Sequence, residues 1–416
     1  MRAHTLIVGG GVMGASIAAH LAARLDPLTE PVVLLERRRF GAGSSGRSGA
    51  ILRTFYSSRE LIGMARDSLR AYAGFASASG RSIGFTRCGV LSIAGAGAQS
   101  ELARRNAAQM RECGVELELV DAARMRSIVR GLEVSDASIG VWEPGGGYVD
   151  PRRTVEAFAA LARERGATLR EGAPVDGWVV EHGRAAAVVC DGERVEFERV
   201  VVAAGPWTRA LLAQLVIELP LRALRTEQHF VAMPRPRAAE LQAEPTPEAL
   251  IDARFALPGE PAPAHSVLLD LERGFYTRCE PASGRTRAGA LDHERDSVLE
   301  HPDELDEVVS TGFQRWARAQ LVERLPRYRE QPDCGAEAAW YTVTPDSQAL
   351  IGACPGHANV FVVSGFSGHG FKLAPSIGEG VAQLLCGAPV AAFEPGFFAP
   401  TRFRSGALNW SGSFGL

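Results

Sequence analysis

The feature that most narrows the folds open to this chain lies at its start. Leu6-Ile7-Val8 is a short apolar run, and Gly9-Gly10-Gly11-Val12-Met13-Gly14 follows it directly. Beyond the glycines, Ile17, Ala18, Leu21, Ala22 and Leu25 recur with the spacing of one helix face. The glycine pattern alone is a weak signal, but between a strand and a helix it forms a dinucleotide-binding fingerprint. Each glycine has its own task. Gly9 permits the tight turn, Gly11 lets the backbone approach a pyrophosphate, and Gly14 lets helix and strand pack closely. The phosphates then rest on the helix N-terminus at Val12 and Met13, where free N–H groups favour anions. The bland alternative is a plain glycine-rich turn, and it leaves the next feature unexplained.

That feature is Glu36, which ends the apolar run Val32-Val33-Leu34-Leu35, 22 residues beyond Gly14. A carboxylate there accepts hydrogen bonds from a ribose hydroxyl and repels a 2′-phosphate. Arg37, Arg38 and Arg39 come next. They leave a phosphorylated ribose open, or else form a solvated turn in which one arginine, Arg37, touches the adenosine. Fully apolar strands suit a parallel sheet covered on both faces.

The strand-then-glycine pattern returns twice, at Val200–Gly205 and at Val360–Gly365, each time before a helical stretch (208–215 and 373–385). Between these the composition changes. Residues 83–141 and 221–330 carry strand fragments such as Val90–Ile93 and Ser266–Leu269, and the proline-rich stretch 233–263 reads as a surface loop. The predicted architecture is α/β. A Rossmann-like nucleotide domain (residues 1–82, 142–220 and 331–400) is interleaved with a second, α+β domain (83–141 and 221–330) on a largely antiparallel sheet. A tail, 401–416, follows.

Composition sets the outer bounds. The chain has 416 residues, enough for two to three units of roughly 150 residues each. Its net charge of −3 argues against nucleic acid as the main partner. No apolar run approaches the ~20 residues of a membrane span, and Thr5–Val8 is too short for a signal peptide. The expected location is cytoplasmic. Seven scattered cysteines without a C-x-x-C pair read as reduced thiols, with no metal site.

Up to this point NAD and FAD are equal candidates. Two more loops tilt the balance to FAD. Gly41–Arg47 follows the second strand and so runs near the pyrophosphate, bringing Ser44, Ser45, Arg47 and Ser48 with it. Gly365-Phe366-Ser367-Gly368-His369-Gly370, continued by Phe371, lies at the other end of the chain, again between strand and helix. A long cofactor gripped at two ends explains both. A helix N-terminus under a flavin pyrimidine also stabilises the negative charge of the reduced ring.

Nearly the whole chain resembles the D-amino-acid-oxidase-like FAD-dependent oxidoreductases. It is most like the sarcosine oxidases, of the monomeric type and the β subunit, and glycine oxidase. The segments VGGGVMGASIAAHLA, VVLLERRRFGAGSSGRSGAILRTFY, FTRCGVLSIA, GGGYVDP, VVVAAGPWT, YTVTPDSQALIG and SGFSGHGFKLAPSIGEGVAQLL carry the likeness. The resemblance implies oxidation of the C–N bond of a small amino acid or secondary amine, by hydride transfer to FAD, giving an imine that water hydrolyses. It implies that Arg53 takes the substrate carboxylate and Lys372 assists, a guanidinium fork plus a point charge. It places His369 by the flavin and Tyr276 and Tyr341 along the pocket. Val175, Ala204, Gly205 and Trp207 fall at cofactor positions. The cysteine that binds flavin covalently in monomeric sarcosine oxidases is replaced here by Ala339, so the FAD is expected to be noncovalent. Arg287 falls where the family has an oxygen-activating lysine. The partners expected are an amine substrate and oxygen or another electron acceptor. The alternatives are a flavin dehydrogenase with a non-oxygen acceptor and an NAD(P)-dependent dehydrogenase.

Overall fold

The computed structural model describes residues 1–234, 262–405 and Leu408. Apart from its ends, the proline-rich stretch 233–263 lies outside the described residues.

Two large sheets organise these residues. In the first, the strands run in the order Leu350–Cys354, His357–Ser364, Glu193–Val202, Arg2–Val8, Val32–Leu35, Thr168–Arg170. From His357–Ser364 onward every neighbouring pair is parallel. Leu350–Cys354 joins antiparallel, as do Arg184–Cys190 and Gly177–Glu181 on the far end of Glu193–Val202. Side chains alternate between faces with the period of two that a strand imposes. Ile7, Val32, Leu34 and Val201 pack with the helices Val12–Ala22, Pro151–Glu164 and Ala374–Leu385. Leu6, Val8, Val33, Leu35 and Val200 pack on the opposite side against Leu212 and Leu215. Both faces are covered, which is why these runs are apolar without a break.

The second sheet has the order Ser297–Leu299, Arg222–Ala232, Arg285–Ala290, Phe275–Glu280, Val267–Asp270, Val90–Ala94, Ile139–Glu143, Glu118–Val120, with Asp333–Val343 on the free side of Arg222–Ala232. Its pairs are antiparallel, except that Val267–Asp270 runs parallel to Val90–Ala94. Two strands cross the divisions expected from the sequence. Ile139–Glu143 belongs to this sheet throughout. Asp333–Val343, expected with the nucleotide domain, pairs along its length with Arg222–Ala232. The chain therefore returns to the first sheet only after Val343.

The first sheet's parallel strands end together at Gly9, Glu36, Ala203 and Gly365. Ligands of open α/β sheets bind at such carboxyl ends. A small ladder, Ile51–Leu52 with Gly147–Tyr148, then carries the chain toward the second sheet and presents Arg53.

Candidate active site

A cavity of about 680 Å³ begins at these strand ends and extends to the second sheet. The first part is built of backbone. A Cβ on Gly9 would lie 2.5 Å from Ala203 O, and one on Gly14 only 1.9 Å from Gly9 O. No side chain fits at either position. The Ser45 hydroxyl accepts the Val12 N–H at 2.9 Å and tethers the second glycine loop to the helix start. Ser44 Oγ is buried with no protein partner among the described residues and lines the cavity. Glu36 is held by Gly10 N–H at 2.7 Å and Arg38 N–H at 2.8 Å. A carboxylate has about four acceptor sites, so capacity is left for ribose hydroxyls. Arg37 is committed elsewhere. It pairs with Asp303 at 2.8 Å and lies over the Trp207 ring at 4.7 Å, so its charge is not free for a 2′-phosphate.

Val175, Ala204, Gly205 and Trp207 line the same trough, as do Met13, Gly11 and Ser48. The Arg47 guanidinium lies over Trp340 at 4.7 Å, donates to Ala338 O at 2.6 Å and pairs with Glu307. The C-terminal loop closes the other side. Gly365 has φ +77°, and a Cβ there would meet Thr344 at 2.6 Å. A Cβ on Gly370 would meet Phe366 at 2.7 Å, and one on Gly368 would stand 3.3 Å from the Tyr341 ring. Phe371 and Lys372 line the cavity beyond it. A backbone cradle, a ribose acceptor and a buried hydroxyl awaiting a partner fit a dinucleotide.

Farther along, the walls are side chains from distant segments. Arg53 is buried, donates to Phe55 O, and lies over the Tyr56 ring at 4.5 Å. Lys372 Nζ is 5.9 Å from the same ring and 3.4 Å from His369 O. Glu143 is buried beside them. One of its oxygens accepts from the Thr54 N–H at 2.5 Å and from the Thr54 hydroxyl; the other has no hydrogen-bond partner among the described residues. Burial, then the Arg53 charge, pulls the Lys372 ammonium well below the ordinary lysine range, with Glu143 opposing. Burial raises the Glu143 carboxyl against the Thr54 bonds and Arg53. It also pushes Tyr56 up to about 12. Arginine stays charged throughout. Arg53 is thus a fixed buried cation without a bonded anion among the described residues, a costly state that an arriving carboxylate relieves.

Tyr276 and Tyr341 line the cavity as expected, Tyr276 packing over Gly289. Two of the expected catalytic residues do not. His369 stands behind the cations, its ring 5.8 Å from Tyr56 and its Nε2 3.0 Å from Ser347 O. Burial, then Lys372 and Arg53, depresses its pKa well below the usual histidine range, so it is a neutral neighbour. Arg287 is turned out of the cavity. It binds Glu280 at 2.7 Å, Arg47 O at 2.9 Å and the Gln228 side chain. Burial works against the Glu280 charge, yet Arg287, Arg278 and Arg285 together hold its carboxyl down to about 2.

Several residues of the site were not foreseen: Tyr56, Glu143, His293, Gln228, Trp340 and Asp303. Tyr56 sits three positions from Arg53 and could have been found as its aromatic neighbour. Glu143 has no local sign, since it reaches Thr54 across 89 residues of sequence.

Comparison with known proteins now decides the family. The model of the FAD dependent oxidoreductase (DAO) family matches residues 4–384. The chain belongs to that family. FAD is therefore the dinucleotide that the trough takes. The chain is 29% identical over 398 residues to 4-methylaminobutanoate oxidase (formaldehyde-forming) of Paenarthrobacter nicotinovorans, covering 92% of this chain and 44% of that protein. It is 25% identical to the peroxisomal sarcosine oxidase of Mus musculus over 96% of each. It thus spans less than half the length of the first relative and nearly all of the second. Among solved structures, L-proline dehydrogenase from P. horikoshii superposes with a TM-score of 0.83 at 23% identity, covering 98% of this chain and 99% of that one. At that identity the likeness speaks for the fold.

Proposed function

We propose that this flavoprotein oxidises the C–N bond of a small amino acid or secondary amine whose carboxylate docks on Arg53 and Lys372. The observation that carries the reading is Arg53 itself, a buried cavity-lining cation with no bonded anion among the described residues, beside the amine of Lys372. FAD, when bound, supplies the acceptor for the hydride that leaves the carbon next to nitrogen. The chain's own residues supply the rest. Arg53 grips the carboxylate with two parallel donors, and Lys372 adds charge once the anion is present. Ile51, Leu269, Tyr276 and Tyr341 wall the space, exclude water and fix the α-carbon. The imine product is then hydrolysed by water. The substrates named in the two relatives, 4-methylaminobutanoate and sarcosine, both join an amine to a carboxylate.

The FAD is held noncovalently in this reading, for Ala339 lines the cavity and no cysteine does among the described residues. With the Arg287 charge answered by Glu280 outside the cavity, a non-oxygen electron acceptor is favoured over oxygen. No helix among the described residues is long and apolar enough to cross a membrane. A cytoplasmic location and the division into two interleaved domains complete the proposal.

The test is an anaerobic mixing of the FAD-loaded protein with sarcosine, 4-methylaminobutanoate, glycine and L-proline, followed by air. Bleaching of the ~450 nm flavin band by at least one of them is expected. Arg53→Ala should raise the KM at least ~30-fold, as for truncating one member of a buried charge contact. Slow recolouring in air supports the non-oxygen acceptor. A flavin that none of the four reduces overturns the reading.

A further inference from the structure

One short segment, residues 143–148, holds the chain on both sides of Arg53. Before Arg53 the hold is backbone. Ile51 pairs with Tyr148 and Leu52 with Gly147. The turn leading into that ladder is tight: the Gly146 N–H donates to Glu143 O at 3.1 Å, and a Cβ on Gly146 would stand 3.0 Å from Leu52 O. After Arg53 the hold is a side chain. The Glu143 carboxylate accepts the Thr54 N–H at 2.5 Å and the Thr54 hydroxyl, and the Phe55 N–H assists. Arg53 is the residue between the two grips.

The second grip reaches the guanidinium. Arg53 donates to Phe55 O, so the turn that Glu143 fixes also carries the acceptor that aims the side chain. The Tyr56 ring, 4.5 Å from the guanidinium, belongs to the same turn. Arg53, Thr54, Phe55, Tyr56 and Glu143 are all buried. Glu143 itself is not among the residues that line the cavity. It stands behind Arg53, at the end of the Ile139–Glu143 strand, and ties the turn to the second sheet.

A carboxylate is a costly group to bury for a tie alone, the more so with one oxygen unpaired among the described residues. The charges around it offset that cost: Arg53 bears on Glu143, and Glu143 on Lys372. We propose that Glu143 is the positioning residue of the carboxylate clamp, holding the Arg53–Tyr56 turn so that the guanidinium presents its remaining donors to the cavity. The inference rests on the carboxylate reading above. The role depends on reach. An acceptor oxygen must stand at the full length of a glutamate side chain to meet Thr54.

Propionate, titrated into the FAD-loaded protein and followed by the flavin spectrum and by calorimetry, reads the clamp with no amine and no turnover. Glu143→Ala and Glu143→Asp should each weaken its binding about 10- to 100-fold, the scale of loss when a contact is misplaced by about 1 Å. Aspartate keeps the charge but is one methylene too short. Glu143→Gln keeps the acceptor at full length and should stay within ~5-fold of wild type, since only the charge-assisted part of the bond is lost. In an Arg53→Ala background, Glu143→Ala should weaken propionate by no more than a further ~2-fold, because its effect runs through the guanidinium. Flavin content and melting temperature of each variant report on folding. Wild-type binding by Glu143→Asp with weak binding by Glu143→Gln would make the role one of charge. An equal loss from Glu143→Ala with and without Arg53 would make it one of general packing. Either result overturns the proposal and leaves the carboxylate reading standing. A wild-type protein that does not bind propionate overturns the two together.

Discussion

The two ends of the cavity are made in different ways. The cofactor end is main chain: Gly9 and Gly14 leave room by lacking a side chain, and the Val12 amide meets Ser45. The substrate end is side chains gathered from far apart in sequence: Arg53, Glu143, Tyr276, His293, Tyr341 and Lys372. Backbone built from a local turn tolerates no change of shape but is blind to what lies beyond it. A pocket of long-range side chains can be re-cut without disturbing the fold. Substitution should therefore abolish cofactor binding at one end and retune substrate binding at the other.

The largest effect is expected at Gly14. A Cβ there would fall 1.9 Å from the Gly9 carbonyl oxygen, inside any contact distance, and both partners are backbone. Gly14→Val should yield protein without flavin, read from the absorbance ratio after purification. Retention of FAD by this variant would show that the helix start can shift, and that the cofactor end is less rigid than its glycines imply.

The contrast also explains what the sequence disclosed. The strand–glycine–helix pattern at 6–25 was legible because turn, strand and helix are neighbours in sequence, and Glu36 followed from spacing alone. Ser45 and Gly365–Gly370 were legible as loops between a strand and a helix. Asp333–Val343 was misplaced because its partner strand, Arg222–Ala232, lies about 100 residues away and leaves no mark in its own composition. Arg287 and His369 were expected at the site but sit behind the cavity wall. Nothing local says that Glu280 and Gln228 claim the one, or that Ser347 claims the other. His293 escaped notice for the same reason. A histidine three residues before an aspartate is unremarkable until the histidine is seen at the cavity.

At the substrate end, Lys372→Met should leave FAD binding intact and raise the KM for an amino carboxylate roughly 10- to 100-fold, as for losing one charge-assisted contact of 1.5–3 kcal/mol. Stability should move the other way. In the ligand-free protein, burial and Arg53 hold the Lys372 pKa well below 10.5, its ordinary value, while the unfolded chain keeps that value. Between the two, the unfolded state binds more protons, so wild-type stability rises with pH. Lys372→Met removes this penalty. Its melting temperature should exceed the wild type's at neutral pH, and the gain should fade toward pH 10.5. A variant less stable than wild type at neutral pH would mean that Lys372 packs as a structural residue first.

The smallest effect tests where the two ends meet. Asp303 belongs to the short turn Pro302–Glu304, beyond the Ser297–Leu299 strand of the second sheet, yet it lies against the cofactor end. It accepts from Arg37 at 2.8 Å and from the Trp207 indole at 2.9 Å, while Trp340 donates to Pro302 O at 2.8 Å. The Arg37 and Asp303 side chains are 34% and 41% exposed, so their pair contributes little, about 0–1 kcal/mol. Asp303→Ala should weaken FAD binding no more than ~5-fold, the equivalent of about 1 kcal/mol, read from the fluorescence of released flavin. High salt should mimic the variant in part by screening the pair. Burial opposes the Asp303 charge, but the Arg37 and Trp207 bonds hold its carboxyl below the usual range. The strap should therefore loosen only when pH falls below that range, and flavin retention should be flat near neutrality. A loss of FAD affinity well beyond tenfold would break the comparison itself. The cofactor would then be held by a strap from the second sheet as much as by its own glycine cradle, and the two ends would answer to mutation as one.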